Sequence, residues 1–191
     1  MSQLQEILKF NQKFVETGGY LDHRTDKFPF KKMVVFSCMD TRLTNLLPLA
    51  LNLRNGDAKI IKNAGAVIMH PFGSVMRSII VAVYELGARE VFVIGHKGCG
   101  MSTVNTMDLI AEMKNQGVSE ETFRTLNYSG IDIKAWLHGF DCVEQSVRES
   151  VDKIKNHPLV PKYVLVHGLI MDSETGELEL ISNDNVSISN V

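Results

Sequence analysis

Short apolar runs rich in β-branched residues alternate along this chain with segments whose apolar residues recur at helical spacing, and that alternation dictates the fold class. The runs predict strands at Met33–Ser37, ending at Cys38, at Ala58–Lys62, at Glu90–Ile94, at Tyr163–His167 and, alternating like an edge strand, at Glu177–Ile181. Helical spacing predicts helices over 2–17 (Leu4, Ile7, Leu8, Phe14, Val15, stopped by Gly18-Gly19), 43–50, 72–87 (Val75, Ile79, Val83, Leu86), 102–114 and 137–156 (Phe140, Val143, Val147, Val151, Ile154). Residues 20–32, polar, basic and broken by Pro29, read as a loop, and the stretch from 115 to 133 shows no clear period. Strands separated by helices make βαβ units, hence an α/β fold with a mostly parallel central sheet of four strands and helices on both faces. The last connection is too short for a crossover, so the fifth strand is expected to be antiparallel at an edge. Residues 1–191 are expected to form one domain, with 1–32 as an N-terminal helix and arm and 183–191 as a loose tail.

With 45% hydrophobic residues among 191, the chain can bury a core without disulfide staples. Lys and Arg number 20 against 22 Asp and Glu, which gives no electrostatic reason to expect nucleic acid or a membrane surface as partner. No apolar run approaches the roughly 20 residues of a membrane span. Residues Met1–Glu6 carry no basic leader, so a cytoplasmic protein is expected. The cysteines number 3, too few and odd for a disulfide framework, so Cys38, Cys99 and Cys142 are read as thiols.

Ligands of open α/β sheets gather outside the carboxyl ends of the strands. Cys38 ends the first predicted strand, and His96 and Cys99 lie just past the third. If those strands are neighbours, two thiolates and an imidazole converge, a donor set suited to Zn²⁺ with a fourth position left open. Each residue alone fits a plain packing role equally well, since free cysteine is among the most buried residues. Asp40 and Arg42 follow Cys38 closely. Held bidentately, that carboxylate stays ionised and aimed; the same residues also suit a cap on the next helix.

Cys38-Met39-Asp40-Thr41-Arg42, Asn63-Ala64-Gly65 and Gly95-His96-Lys97-Gly98-Cys99-Gly100, in this order and at these separations, resemble the β-class carbonic anhydrases, in particular their compact bacterial and archaeal members. The likeness extends through Ser78–Leu86 and the 158–176 stretch, covers about 30–182, and is weakest over 100–135. The resemblance implies a zinc lyase, carbonate dehydratase, in which zinc-bound hydroxide converts CO₂ to bicarbonate and a proton. One Zn²⁺ per chain would be held by Cys38, His96 and Cys99, with Asp40 and Arg42 as the catalytic dyad, in a homodimer or an assembly of dimers. It also leaves two alternatives: a zinc hydrolase of CS₂ or COS, and a non-catalytic zinc protein closed by Asp40 swinging onto the metal.

Two departures bear on activity. Lys97-Gly98 fills a gap that many relatives fill with Thr-Asp or Ser-Asp, and the turn reads Lys62-Asn63-Ala64-Gly65-Ala66, without the usual leading Arg or trailing Asn. Loss of an outer contact can lower metal affinity or activity by about 10–100-fold. Gly65, Ala66, Val67 and Phe72 are candidate walls around an apolar substrate, although core packing explains them equally well. His70, His138 and His167 could each carry protons. Cys142 is expected to pack inertly beside Val143. Gly95–Gly100 lacks the ending of a phosphate loop.

Overall fold

The computed structural model describes residues 2–184. Among these, five strands form one sheet in the order β2-β1-β3-β4-β5: β1 (Met33–Cys38), β2 (Ala58–Asn63), β3 (Glu90–His96), β4 (Leu165–Met171) and β5 (Leu178–Ser182). The first four are mutually parallel and β5 runs antiparallel to β4, as the short connection demands. Because β2 lies on one side of β1 and β3 on the other, the chain path reverses at β1, and a crevice opens at the carboxyl ends of β1 and β3. Register pairs Ser37 with Ile94, which sets Cys38 close to the end of β3.

Strand β1 is fully buried from Val34 to Ser37, as a central parallel strand covered on both faces must be. Alternate residues face two separate cores. Val34, Phe36, Val91, Val93, Val166 and Ile170 pack with Ile79 and Val83 of α3 (Ser74–Tyr84) and with Val147, Val151 and Ile154 of α7 (Val143–Lys155). On the other face Val35, Ile94 and Met171 pack with Leu43 and Leu47 of α2 (Leu43–Ala50), and Cys38 and Cys99 belong to this second core. Helix α7 lies close on β3 because residue 95 is glycine: a Cβ there would stand 2.8 Å from methyl carbons of both Val143 and Val147. That close approach, rather than a phosphate, accounts for the glycine before His96.

The remaining helices are α1 (Gln3–Glu16), α4 (Thr106–Asn115), α5 (Glu120–Tyr128) and α6 (Ile133–Leu137). A capping box between Ser2 and Gln5 starts α1, which buries none of its residues. No helix among the described residues is long and apolar enough to cross a membrane.

Several boundaries differ from those expected of the sequence. His96 is the last residue of β3 rather than beyond it, and β4 extends past His167 to Met171. The helix expected from 137 begins only at Val143, because the preceding backbone is engaged elsewhere: Phe140 N–H donates to the Met101 carbonyl at 3.3 Å, and Gly139 presses on that same carbonyl. Phe140 therefore leaves the helix face and packs beside Cys38, Cys99 and Met101. Cys142 is exposed at the N-terminal cap of α7, not packed as expected. A 3₁₀ turn at Gly100–Ser102 delays α4 until Asn105 caps it. Of the tail expected to be loose, Asn183 and Asp184 are hydrogen-bonded to His167 and Lys155, and 185–191 lie outside the described residues.

Candidate metal centre

The crevice at the ends of β1 and β3 brings Cys38, His96 and Cys99 together: one donor atom from each lies within 4.8 Å of the others, and all three residues are buried. All three cysteines of the chain are free. The two sulfurs, Cys38 Sγ and Cys99 Sγ, are 3.8 Å apart. A tetrahedral Zn²⁺ holding two thiolates at about 2.3 Å places them about 3.8 Å from each other. His96 Nδ1 lies 3.0 Å from the Lys97 carbonyl, which can only accept, so Nδ1 carries the proton and Nε2 presents its lone pair. That Nε2 is a buried polar atom with no hydrogen-bond partner, 0% exposed at the side chain, and it stands among the sulfurs. Two sulfurs at this spacing and an orphaned imidazole nitrogen fit a soft divalent cation.

Electrostatics point the same way. Burial pushes the Cys99 thiol well above its ordinary range, and the nearby Cys38 adds to that rise. Burial raises the Cys38 thiol too, but the adjacent His96 imidazole and the hydrogen bonds from the Gly65 and Asp40 amides outweigh it and carry Cys38 below its ordinary value. One buried pocket cannot hold two uncompensated thiolates, and a divalent cation removes that conflict.

The Gly65 amide donates to Cys38 Sγ at 3.3 Å. Asn63 aims that amide: its side chain accepts from the Val67 N–H at 3.2 Å and donates to the Val67 carbonyl at 2.8 Å, which closes the turn. Gly65 has φ +79, and a Cβ there would stand 3.0 Å from the Phe140 ring and 3.1 Å from Met101. The Asn63-Ala64-Gly65 motif is thus a device for delivering an N–H to a sulfur.

Asp40 lies beside the donor cluster, its Oδ2 3.8 Å from His96 Nε2. Both carboxylate oxygens are held by Arg42: Oδ1 accepts from the Arg42 backbone N–H at 2.9 Å and from Nε at 3.0 Å, and Oδ2 accepts from Nη2 at 2.8 Å. The dyad geometry is present, and Asp40 Oδ1 also closes the turn before α2, but the cap expected as the alternative is not formed: α2 has Arg42 at its N-cap and no side-chain cap hydrogen bond. Arg42 Nη2 also donates to the Gly98 carbonyl at 2.9 Å, which ties the guanidinium to the loop carrying Cys99. The Arg42 side-chain and backbone hydrogen bonds hold the Asp40 carboxyl far below the usual carboxylate range, so it is ionised at any physiological pH.

The weaker candidates scatter. Ala66 joins the core beneath α7, and its carbonyl accepts from Ser150 Oγ at 3.4 Å. Val67 lines a largely apolar cavity of about 320 Å³ with Ala64, Met101, Val104, Trp136 and His138. Phe72 is exposed, with its ring 5.0 Å from that of His157, away from the cluster. His70 accepts from the Phe72 amide, and His167 pairs with Asn183. Lys97 extends along the rim, its Nζ 3.8 Å from Asp172 Oδ2. Sequence reasoning missed the Gly98 carbonyl and the neighbourhood of Phe140 and Met101. A backbone acceptor has no residue-type signature, and Phe140 was masked by its fit to a helical period.

A family-wide sequence profile described as carbonic anhydrase matches residues 33–178. The chain is 57% identical over 183 residues to the Bacillus subtilis protein YtiB, itself only provisionally named a carbonic anhydrase, covering 96% of this chain and 98% of that one. It is 29% identical over 154 residues to a carbon disulfide hydrolase of Acidithiobacillus thiooxidans, covering 78% of this chain and 76% of that one. Among solved structures, the β-carbonic anhydrase isoform I of Trichomonas vaginalis superposes with a TM-score of 0.88 at 33% identity, covering 97% of this chain and 100% of that one.

Proposed function

The chain belongs to the β-class carbonic anhydrase family, and from that premise we propose that it hydrates CO₂ reversibly to bicarbonate and a proton, with one Zn²⁺ held by Cys38, His96 and Cys99. The observation that carries this reading is Asp40, fully engaged by Arg42 yet 3.8 Å from the free nitrogen of His96. Bound there, Zn²⁺ supplies Lewis acidity that lowers the pKa of water from about 15.7 toward neutrality.

The protein's own groups do the rest. Asp40, kept ionised by Arg42, is an acceptor that takes a hydrogen bond from the nucleophilic water and turns its lone pair toward the substrate. Arg42, anchored on the Gly98 carbonyl, keeps Asp40 from rotating onto the donor cluster, which favours catalysis over a closed, non-catalytic site. The Gly65 N–H offsets part of the negative charge that two thiolates concentrate. Apolar walls from Ala64, Val67 and Met101 suit a substrate that offers little to hydrogen-bond. Since α1 buries none of its residues within the chain and exposes Leu4, Ile7, Leu8 and Phe10, a dimer-based assembly that covers this stripe fits the reading.

Stopped-flow CO₂ hydration by zinc-quantified protein between about pH 7 and 9 tests the proposal. Activity should rise with pH. Absence of activity throughout, with one zinc per chain, would overturn it and favour either a sulfur analogue such as CS₂, on which a carbon disulfide hydrolase among the relatives acts by its name, or COS, or else a non-catalytic site closed by Asp40.

A further inference from the structure

The Lys97-Gly98 stretch between His96 and Cys99 carries no acidic side chain, and the peptide after His96 is held from a distant turn. The Lys97 N–H donates to the Met171 carbonyl at 2.9 Å, and the Lys97 carbonyl accepts from Ser173 Oγ at 3.2 Å. That same carbonyl receives the proton of His96 Nδ1 at 3.0 Å. Ser173 is only 8% exposed, although it sits in the tight connection between β4 and β5, where a hydroxyl ordinarily faces water. The connection is itself rigid: Asp172 Oδ1 accepts from the Glu174 and Thr175 amides, and the Asp172 carbonyl accepts from Gly176 N–H. A buried hydroxyl on a rigid turn, directed at the one carbonyl that orients a ligand imidazole, is placed to set the angle at which Nε2 meets a metal.

We propose that Ser173 is a positioning residue of the metal centre, acting through the Lys97 carbonyl on His96. This rests on the assignment of His96 as a ligand. Its effect belongs to metal binding and geometry rather than to the chemistry of CO₂. Groups one bond beyond a ligand commonly change metal affinity by about 10–100-fold. Ser173 acts one bond further out, so the lower end of that range, about tenfold, is expected.

The test compares full-length wild type, Ser173→Ala and Ser173→Thr. Zinc affinity is read by competition with a chromogenic chelator, and ligand geometry by the visible absorption of the Co²⁺-substituted protein. Ser173→Ala should weaken zinc about tenfold and shift the cobalt bands, and Ser173→Thr, which keeps the hydroxyl, should restore both. Unchanged affinity and superimposable cobalt spectra in Ser173→Ala would overturn the proposal, as would a loss that Ser173→Thr fails to restore. Thermal unfolding of the metal-free proteins separates a purely structural role: a lowered apo-protein Tm with unchanged cobalt bands also counts against it. If wild type itself took up no stoichiometric metal, the assignment of the ligands would fall, a result distinct from equal binding by all three proteins.

Discussion

The crevice at the ends of β1 and β3 and the helical excursion from Gly100 to Cys142 adjoin each other but are held by different forces. In the crevice, every candidate ligand is buried and nearly every polar atom around it has a named partner, many of them backbone groups. In the excursion, α5 and α6 bury no residue and α4 buries only Ile110, while Trp136 is 63% exposed. Local caps sustain these helices: Asn105, Ser119 and Asp132 each accept an N–H of the first turn. The contrast teaches that reactive geometry here depends on the sheet and its strand-end turns, whereas the excursion supplies walls. Met101 and Phe140 are the residues of the excursion that lean back onto the Gly65 turn and the core that holds Cys38 and Cys99.

Substitutions that break the crevice should therefore have large effects, and those in the excursion small ones. Cys38→Ser and Cys99→Ser should each lose stoichiometric zinc, read by metal analysis after gel filtration; a full equivalent retained by either would remove that residue from the ligand set. Asp40→Ala should cut CO₂ hydration by about 10²-fold or more while zinc stays bound, since the carboxylate orients rather than ligates. Near-normal turnover in that variant would reduce Asp40 to a turn former. Gly65→Ala should cost about 1–3 kcal/mol in denaturant unfolding, because φ +79 is unfavourable for alanine and its Cβ would crowd Phe140 and Met101. A neutral result there would mean that the turn relaxes freely and the two regions are less coupled than their contacts imply. Trp136→Ala should change stability by no more than about 0.5 kcal/mol and leave zinc content untouched. A large loss would make the excursion part of the scaffold after all.

Legibility divides along the same line. The strand ends were readable because β-branched runs announce buried parallel strands and because Cys38, His96 and Cys99 are side-chain donors whose chemistry shows in their identity. Asp40 and Arg42 were readable for the same reason, through their proximity to Cys38. Boundaries failed where tertiary contacts overrode periodicity: Phe140 fits a helix that the contact of Gly139 with Met101 prevents from starting, and β4 runs on to Met171 because it pairs with β3 through His96.

By itself the sequence determined the alternation of strands and helices, the antiparallel last strand and the donor types, all consequences of local pattern and side-chain chemistry. Only the tertiary structure decided that β1 and β3 are neighbours, and so that Cys38 meets His96 and Cys99. It alone decided that the Gly65 N–H and the Gly98 and Lys97 carbonyls serve the site, and that Ser173 reaches it from a distant turn. Every residue other than proline carries the same backbone donor and acceptor, so which of them point at a site depends on the path of the chain and not on the letters that spell it.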